Sequence, residues 1–325
     1  MQILRNVARW GQIHLRERLA LCGLFLLSLC VHLLPFLKYG PHPLGYDTGF
    51  YRRYLLEPFL SIPNAPVPGL GDDALVARIL LDLVRLTHLP PDIILYGSYV
   101  MLTALLPVLL YVFLRPTLGR RGALIAGVLL IFSAVAYNAF WYLLWKSALA
   151  LCLILAAFIA YERRLLFPLL LLDVLIALTH KTSAVIYVAT LLVLVVVSRG
   201  RQRILLVHIA LTGAVLALVN LDTIRETTRA LPQAIFLDWS QYALFSLPLV
   251  LLIAFGYRAF LEGRVPRVLL AFAAASFCFP LFHFPFYERI FIFCDVALVA
   301  LAAYGATYLL EQFASSETPR TRYIA

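Results

Sequence analysis

Charge is what this sequence has least of. Only 14% of its 325 residues are Asp, Glu, Lys or Arg, against about a quarter in a soluble domain. That scarcity excludes a soluble enzyme, a disordered chain and a DNA-binding domain. Acid is scarcer than base, with 17 Asp and Glu against 27 Lys and Arg, for a formal net charge of +10. Cysteine is sparse as well. Cys22, Cys30, Cys152, Cys278 and Cys294 each sit in an apolar run, without a CxxC partner or a His at ligand spacing, so neither a disulfide frame nor a zinc site is expected. The first apolar run, Leu19–Leu37, lacks a small-residue cleavage site before Lys38, and reads as a retained span rather than a signal peptide.

What is present is hydrocarbon. Apolar residues make up 63% of the chain and the mean hydropathy is +0.91. One bilayer crossing takes ~20 apolar residues, so the composition predicts an all-α, polytopic transmembrane helix bundle of about ten spans, a single transmembrane domain over residues 1–325. The apolar runs place the spans near 19–37, 93–114, 122–137, 143–160, 165–180, 183–198, 204–221, 241–257, 268–284 and 290–310. The run at 165–180 is short for a full crossing, which points to tilt, re-entry or local thinning of the bilayer.

The polar breaks alternate in character. One set is short and basic: Arg115, Arg120 and Arg121; Arg163 and Arg164; Arg199, Arg201 and Arg203; Arg258, Arg264 and Arg267. Arg5, Arg9, Arg16 and Arg18 before the first span, and Arg320 and Arg322 after the last, belong with it. The other set has nearly balanced charge. Basic loops mark the cytoplasmic side, so both termini are expected there, in a prokaryotic plasma membrane. The same rule explains the net positive charge without a nucleic-acid partner.

The longest loop, residues 38–92, then lies on the extracytoplasmic side. It should hold a turn feeding a short helix (Gly45-Tyr46-Asp47-Thr48-Gly49-Phe50-Tyr51-Arg52), a proline-rich stretch with Pro58, Pro63, Pro66 and Pro68, and an amphipathic helix from Asp72-Asp73 to about Leu89. Leu75, Val76, Ile79, Leu80, Leu83 and Val84 fall on one stripe of that helix, with Arg78, Asp82 and Arg85 opposite. Such a helix lies in the membrane interface rather than crossing it.

Polar groups inside or at the edge of a bilayer are costly and mark functional candidates. Asp47, between glycines, is either a general base or the N-cap of the helix that follows. Asp72 and Asp73 are a helix cap or a second acidic site. Lys146, in Trp141-Tyr142-Leu143-Leu144-Trp145-Lys146-Ser147, is either a snorkelling interfacial lysine or a phosphate-binding cation. His180-Lys181-Thr182-Ser183 interrupts an otherwise continuous apolar stretch. Its imidazole, ammonium and hydroxyls suit a phosphate, at the start of a helix whose free N–H groups favour an anion; the plainer reading is a capped hairpin. Glu288 and Arg289, beside His283 and Tyr287, are a structural pair or a phosphate and substrate contact. Asp173 and Asp295 fall inside spans, each seven residues from a candidate at the outer edge, and should face the bundle interior protonated or paired.

The many spans, the long first outer loop with interfacial helices, and the early acidic residue in Gly-Tyr-Asp-Thr-Gly-Phe-Tyr together resemble the GT-C superfamily of membrane glycosyltransferases. The resemblance is one of layout across about the whole chain. It implies transfer of a sugar from a polyprenyl-phosphate or diphosphate carrier to a glycan, lipid or protein acceptor on the outer face. Asp47 would be the catalytic base and His180 a substrate contact or second proton-transfer group. Arg52, Lys146, Lys181, Thr182, Glu288 and Arg289 would hold substrate and phosphate. The superfamily's second acidic motif has no clear counterpart between spans three and four, where Asn138 is the nearest polar group, so a divalent cation is left open. No redox cofactor is implied. Three other readings stand beside this one: a lipid or small-solute transporter or flippase working through Asp173 and Asp295, a polysaccharide polymerase, and a non-catalytic membrane subunit.

Overall fold

The structure is a computed structural model that describes residues 15–40, 45, 48–56, 74–198, 200, 202–226, 237–284 and 287–316. Among the described residues every regular element is a helix. They are α1 (Leu15–Tyr39), α2 (Thr48–Leu56), α3 (Ala74–Thr87), α4 (Pro91–Ile131), α5 (Ala134–Trp141), α6 (Trp145–Glu162), α7 (Leu166–Thr179), α8 (Lys181–Val197), α9 (Gln202–Glu226), α10 (Trp239–Phe255), α11 (Tyr257–Leu261), α12 (Arg267–Leu281) and α13 (Tyr287–Ser316).

Local chemistry sets the boundaries. Pro90 and Pro91 open α4 and Pro266 opens α12, where a missing N–H costs no hydrogen bond. Asp238 caps α10 by accepting from Gln241 N–H, and the Gln241 side chain returns a bond to the Asp238 N–H, a reciprocal box that satisfies two otherwise orphaned donors. Within α4, Gly119 leaves helical geometry with φ 67° and ψ −177°. The chain reverses there, because Gly127 comes against the backbone of Pro107, far closer than one continuous helix would allow. The two runs expected at 93–114 and 122–137 are therefore the two legs of a helical hairpin.

The second leg departs from expectation. Instead of running to residue 137 it stops at Ile131, and Ser133 caps a new helix, α5, by accepting from Ala136 N–H at 3.2 Å. A hydroxyl that satisfies the backbone in a non-helical conformation competes with the helix. Here it does so inside an apolar segment.

Four helices are long and apolar enough to cross a membrane: Leu15–Tyr39, Pro91–Ile131, Trp145–Glu162 and Glu288–Phe313. Five more are apolar but shorter. That is fewer full-length spans than the about ten expected. Gly119 folds two runs into one element, and α7 has 14 residues, or ~21 Å at ~1.5 Å per residue, against a hydrocarbon core of ~30 Å.

The centre of the bundle is α13. Its apolar stretch is 89% buried, against 22% for that of α1 at the edge. It packs on α4, α5, α10, α11 and α12, while α7, α8 and α9 form a second group joined to it through α6 and α12. Phe158, Tyr187 and Phe272 pack ring to ring in the core between these groups. Leu26, Leu34, Phe167, Val196, Leu247 and Leu261 are exposed on the periphery, the kind of apolar surface that acyl chains cover. The basic connections share one end: Arg115 pairs with Glu17 before the first span, the Thr117 hydroxyl bonds that of Tyr304 at 2.7 Å, and Arg267 reaches the Val197 carbonyl.

In the first long loop, the short helix after Gly45 and the later amphipathic helix both form, as α2 and α3. The buried side of α3 is rotated from the expected stripe: Leu80 and Leu81 are buried, whereas Ile79 and Leu83 are exposed. It packs against Tyr51 and Leu55 of α2 and Leu95, Tyr96 and Tyr99 of α4. Asp82 and Arg85 pair on its polar face at 3.9 Å. The proline-rich stretch and the side chains of Leu75, Val76 and Arg78 lie outside the described residues.

Among the described glycines, the closest backbone approach is at the crossing of α10 and α13. A Cβ on Gly305 would lie 1.6 Å from the Leu252 carbonyl oxygen, and one on Gly256 would lie 2.6 Å from the Gly305 nitrogen. Both obstacles are backbone, so neither can step aside. Gly305→Ala should destabilise the bundle by more than ~3 kcal/mol in reversible unfolding in detergent. Gly213→Ala, at a helical site with nothing within 4 Å, should be neutral or stabilise by ~0.5–1 kcal/mol.

Candidate functional site

Three connections meet at the end of the bundle opposite the paired Arg115. The first is the single residue between α7 and α8. His180, with φ −160° and ψ 116°, closes one helix and opens the next. The turn is short because His180 O already accepts from Ala184 N–H at 2.9 Å. Its imidazole Nδ1 lies 2.7 Å from the Ser183 hydroxyl, so the His-Lys-Thr-Ser segment is folded onto the first turn of α8. The N–H groups of that turn, and the positive end of the helix dipole, face outward beside Lys181 and Thr182.

The second connection is Tyr142–Leu144, ahead of α6. Leu143 takes φ 55°, a left-handed conformation that costs a branched residue about 1 kcal/mol. Trp145 N–H donates to Leu143 O at 2.7 Å, and the Trp145 indole donates to Ser98 at 2.9 Å. These bonds hold Lys146 on the first turn of α6. The first long loop docks on the same turn. Gly45, at φ 86°, sits so close that a Cβ would come 2.6 Å from the Tyr142 carbonyl carbon. Its neighbouring helix brings Tyr51 to Lys146, whose Nζ stands 5.7 Å from the ring centroid, within cation–π range.

The third is the start of α13, where Glu288 is buried and Arg289 half-buried. His283, just before it, has φ 51°.

These pieces share one electrostatic neighbourhood. Burial first, and then the positive charges of Lys146, Arg289 and Lys181, hold the His180 imidazole down to about 3 from its ordinary 6.5. A neutral imidazole beside three cationic side chains can offer a hydrogen bond without adding charge.

Near this end lies a small cavity of about 30 Å³, walled mainly by apolar side chains, with Ser28, His32, Tyr99 and Thr103 among its lining. Leu144 and Ser147, on either side of Lys146, also line it. His32 Nδ1 bonds the Ser28 carbonyl at 2.8 Å, and its ring meets the edge of Phe140.

The structure thus brings together Lys146, His180, Lys181 and Arg289, with Thr182 and Glu288 on the same helix starts. It does not bring Arg52 into the cluster by any described contact; Arg52 Nε instead donates to Asp92 at 2.8 Å, an exposed pair tying α2 to α4. Asp47, Asp72 and Asp73 lie outside the described residues. Among the described residues, no three His, Cys, Asp or Glu side chains converge where a metal ion could sit.

Some polar partners are invisible to a linear reading. Asp173 is fully buried, accepts from the Tyr187 hydroxyl at 2.8 Å, and lies 2.5 Å from His208 Nδ1. Asp295, also fully buried, accepts from Ser133 at 2.7 Å. Both acids face the bundle interior. A signal for His208 was available, since it stands alone in the apolar run Ile204–Leu211 and polar groups at such depth have partners. Ser133 carries none, as a serine in an apolar run is ordinary.

No protein-family model matches this chain, and no curated protein matches its sequence.

With its pKa near 3 against 6.5 for the free side chain, His180 stays neutral in the folded protein while the unfolded chain takes up a proton. Its contribution favours folding above about pH 6.5 and is lost as pH falls toward 3. Histidine NMR on labelled protein should show His180 uncharged throughout pH 5–8. A phosphate-bearing ligand bound beside His180 should raise its pKa, because a nearby negative charge favours the imidazolium.

Proposed function

We propose that the protein is a membrane glycosyltransferase that moves a sugar from a polyprenyl-phosphate or diphosphate carrier to an acceptor on the extracytoplasmic face of a prokaryotic plasma membrane, with about ten membrane segments and both termini cytoplasmic. The observation that carries this reading is the cationic cluster of Lys146, Lys181 and Arg289 around neutral His180, at one end of a bundle whose periphery is apolar. A lipid phosphate has both chemistries, a charged head and a hydrocarbon tail. A soluble nucleotide sugar has no use for the second.

In this reading the acceptor hydroxyl oxygen attacks the anomeric carbon while Asp47 takes its proton, and the bond from that carbon to the carrier phosphate breaks. The phosphate leaves with the bonding pair, and its growing negative charge is met by Lys146, Lys181 and Arg289. His180, held by Ser183, hydrogen-bonds the phosphate or sugar; Thr182 and Glu288 contact substrate. Gly45, two residues before Asp47, packs against Tyr142, which supports giving Asp47 this role. Arg52, already engaged by Asp92, is assigned to holding α2 in place. The short basic connections grouped at the opposite end support the orientation.

The transport reading is less well supported at Asp173. Tyr187 and His208 occupy both of its carboxylate oxygens, whereas a residue lining a solute path keeps one for the solute.

Native mass spectrometry of gently purified protein tests the proposal. A bound polyprenyl phosphate, lost in the Lys181→Ala/Arg289→Ala double variant, is the expected result; bulk phospholipid alone, unchanged in the variant, would overturn it. Asp47→Asn should retain the carrier lipid yet lower kcat for sugar transfer by ~10²–10⁴-fold.

A further inference from the structure

A second buried polar cluster lies away from the cationic end, where the chain breaks between α4 and α5. Ser133 caps α5 there and donates its hydroxyl to Asp295 Oδ2 at 2.7 Å. Asp295 is 0% exposed, and its other oxygen, Oδ1, has no hydrogen-bond partner among the described residues. The buried hydroxyls of Tyr242 and Ser246 on α10 lie near one another without a well-formed bond, and the Tyr242 hydroxyl lies within electrostatic reach of Asp295. Tyr242 is held in place by stacking on Phe291, one turn above Asp295, with centroids 4.2 Å apart. The Cys294 thiol, beside the Tyr242 hydroxyl, donates to the Ser276 carbonyl.

Leaving a buried carboxylate with one neutral donor is costly, and each poorly bonded hydroxyl adds to that. One occupant removes all of these costs at once. A carboxylate oxygen with neighbouring hydroxyl oxygens, at an interrupted helix, is a hard-oxygen ligand set. It carries one negative charge, so a monovalent cation leaves the interior neutral and a divalent one leaves it positive. A proton on Asp295 would neutralise the charge but add a single hydrogen bond, whereas a cation draws on the carboxylate and the hydroxyl oxygens together. We propose that Asp295, with Ser133, Tyr242 and Ser246, forms a binding site for a small monovalent cation, sodium, that pins α5 and α10 to α13.

This site rests on the bundle interior and not on the transfer reading, and its test needs no sugar substrate, so either can fail alone. Unfolding temperature would be measured at pH 8 while sodium chloride replaces choline chloride at constant ionic strength. Wild-type protein should gain stability along a saturating curve. Asp295→Asn, which still accepts from Ser133, should be stable and unresponsive. Tyr242→Phe and Ser246→Ala keep the packing and remove one oxygen each, and should move the sodium midpoint at least tenfold higher; they remain informative if the Asn variant does not fold. Equal unfolding temperatures in sodium and choline would overturn the proposal. So would a stability that changes with pH alone, which would make the occupant a proton, or midpoints unchanged in the two hydroxyl variants.

Discussion

Moving an unpaired charge into hydrocarbon costs at least ~2.5–3.5 kcal/mol at the centre of a span, more than a typical surface contact returns. In a chain with so few charges, that penalty leaves each polar residue a short choice of positions. The arginines of the short connections collect at one end, where Arg115 can meet Glu17. Lys146, Lys181 and Arg289 collect at the other, around His180. The acids that stay inside do so beside a donor. Asp173 sits between Tyr187 and His208, and Asp295 on Ser133.

The same penalty links the fold to the proposed chemistry. Three cations held together repel one another, and the cost is lower at the rim of the bundle, within reach of water, than in its interior. Beyond that rim the interior and the periphery of the bundle are apolar. A receiving site for a lipid-borne phosphate needs this sequence of environments along one axis, positive and then greasy. The first long loop completes it by docking: Gly45 against Tyr142, and Tyr51 against Lys146. Leu143, in a left-handed conformation at that junction, shows that the turn is held by its surroundings rather than by its own preference.

Close backbone packing supplies the rigidity. Lipid tails are as apolar as leucine, so helices in a membrane gain little from hiding hydrocarbon and depend on van der Waals contact. The α10–α13 crossing shows the consequence, with Gly256 and Gly305 facing each other and the Leu252 carbonyl filling the space a side chain would take. That contact holds Tyr242 beside Phe291 and so brings α10 to Asp295.

Composition and periodicity by themselves determined that the chain is helical and membrane-directed, that basic connections share one end, and that His180-Lys181 and Arg289 stand at helix starts. These follow from local quantities: the length of an apolar run, the placement of arginine, the capping of a helix. The two helices of the first loop were legible for the same reason, although the buried face of α3 was not, since Leu81 rather than Ile79 turns inward only because α2 and α4 are there to receive it. Tertiary structure decided the reversal at Gly119 as a packed hairpin, the break at Ser133, and the partners of Asp173 and Asp295. Those partners come from helices distant in sequence, such as Asp173 with His208 and Ser133 with Asp295. A serine or a histidine in an apolar run does not announce which buried charge it serves. Only the packing of the helices selects it, because a hydrogen bond forms over about 3 Å and no pattern along the chain records so short a distance between remote residues.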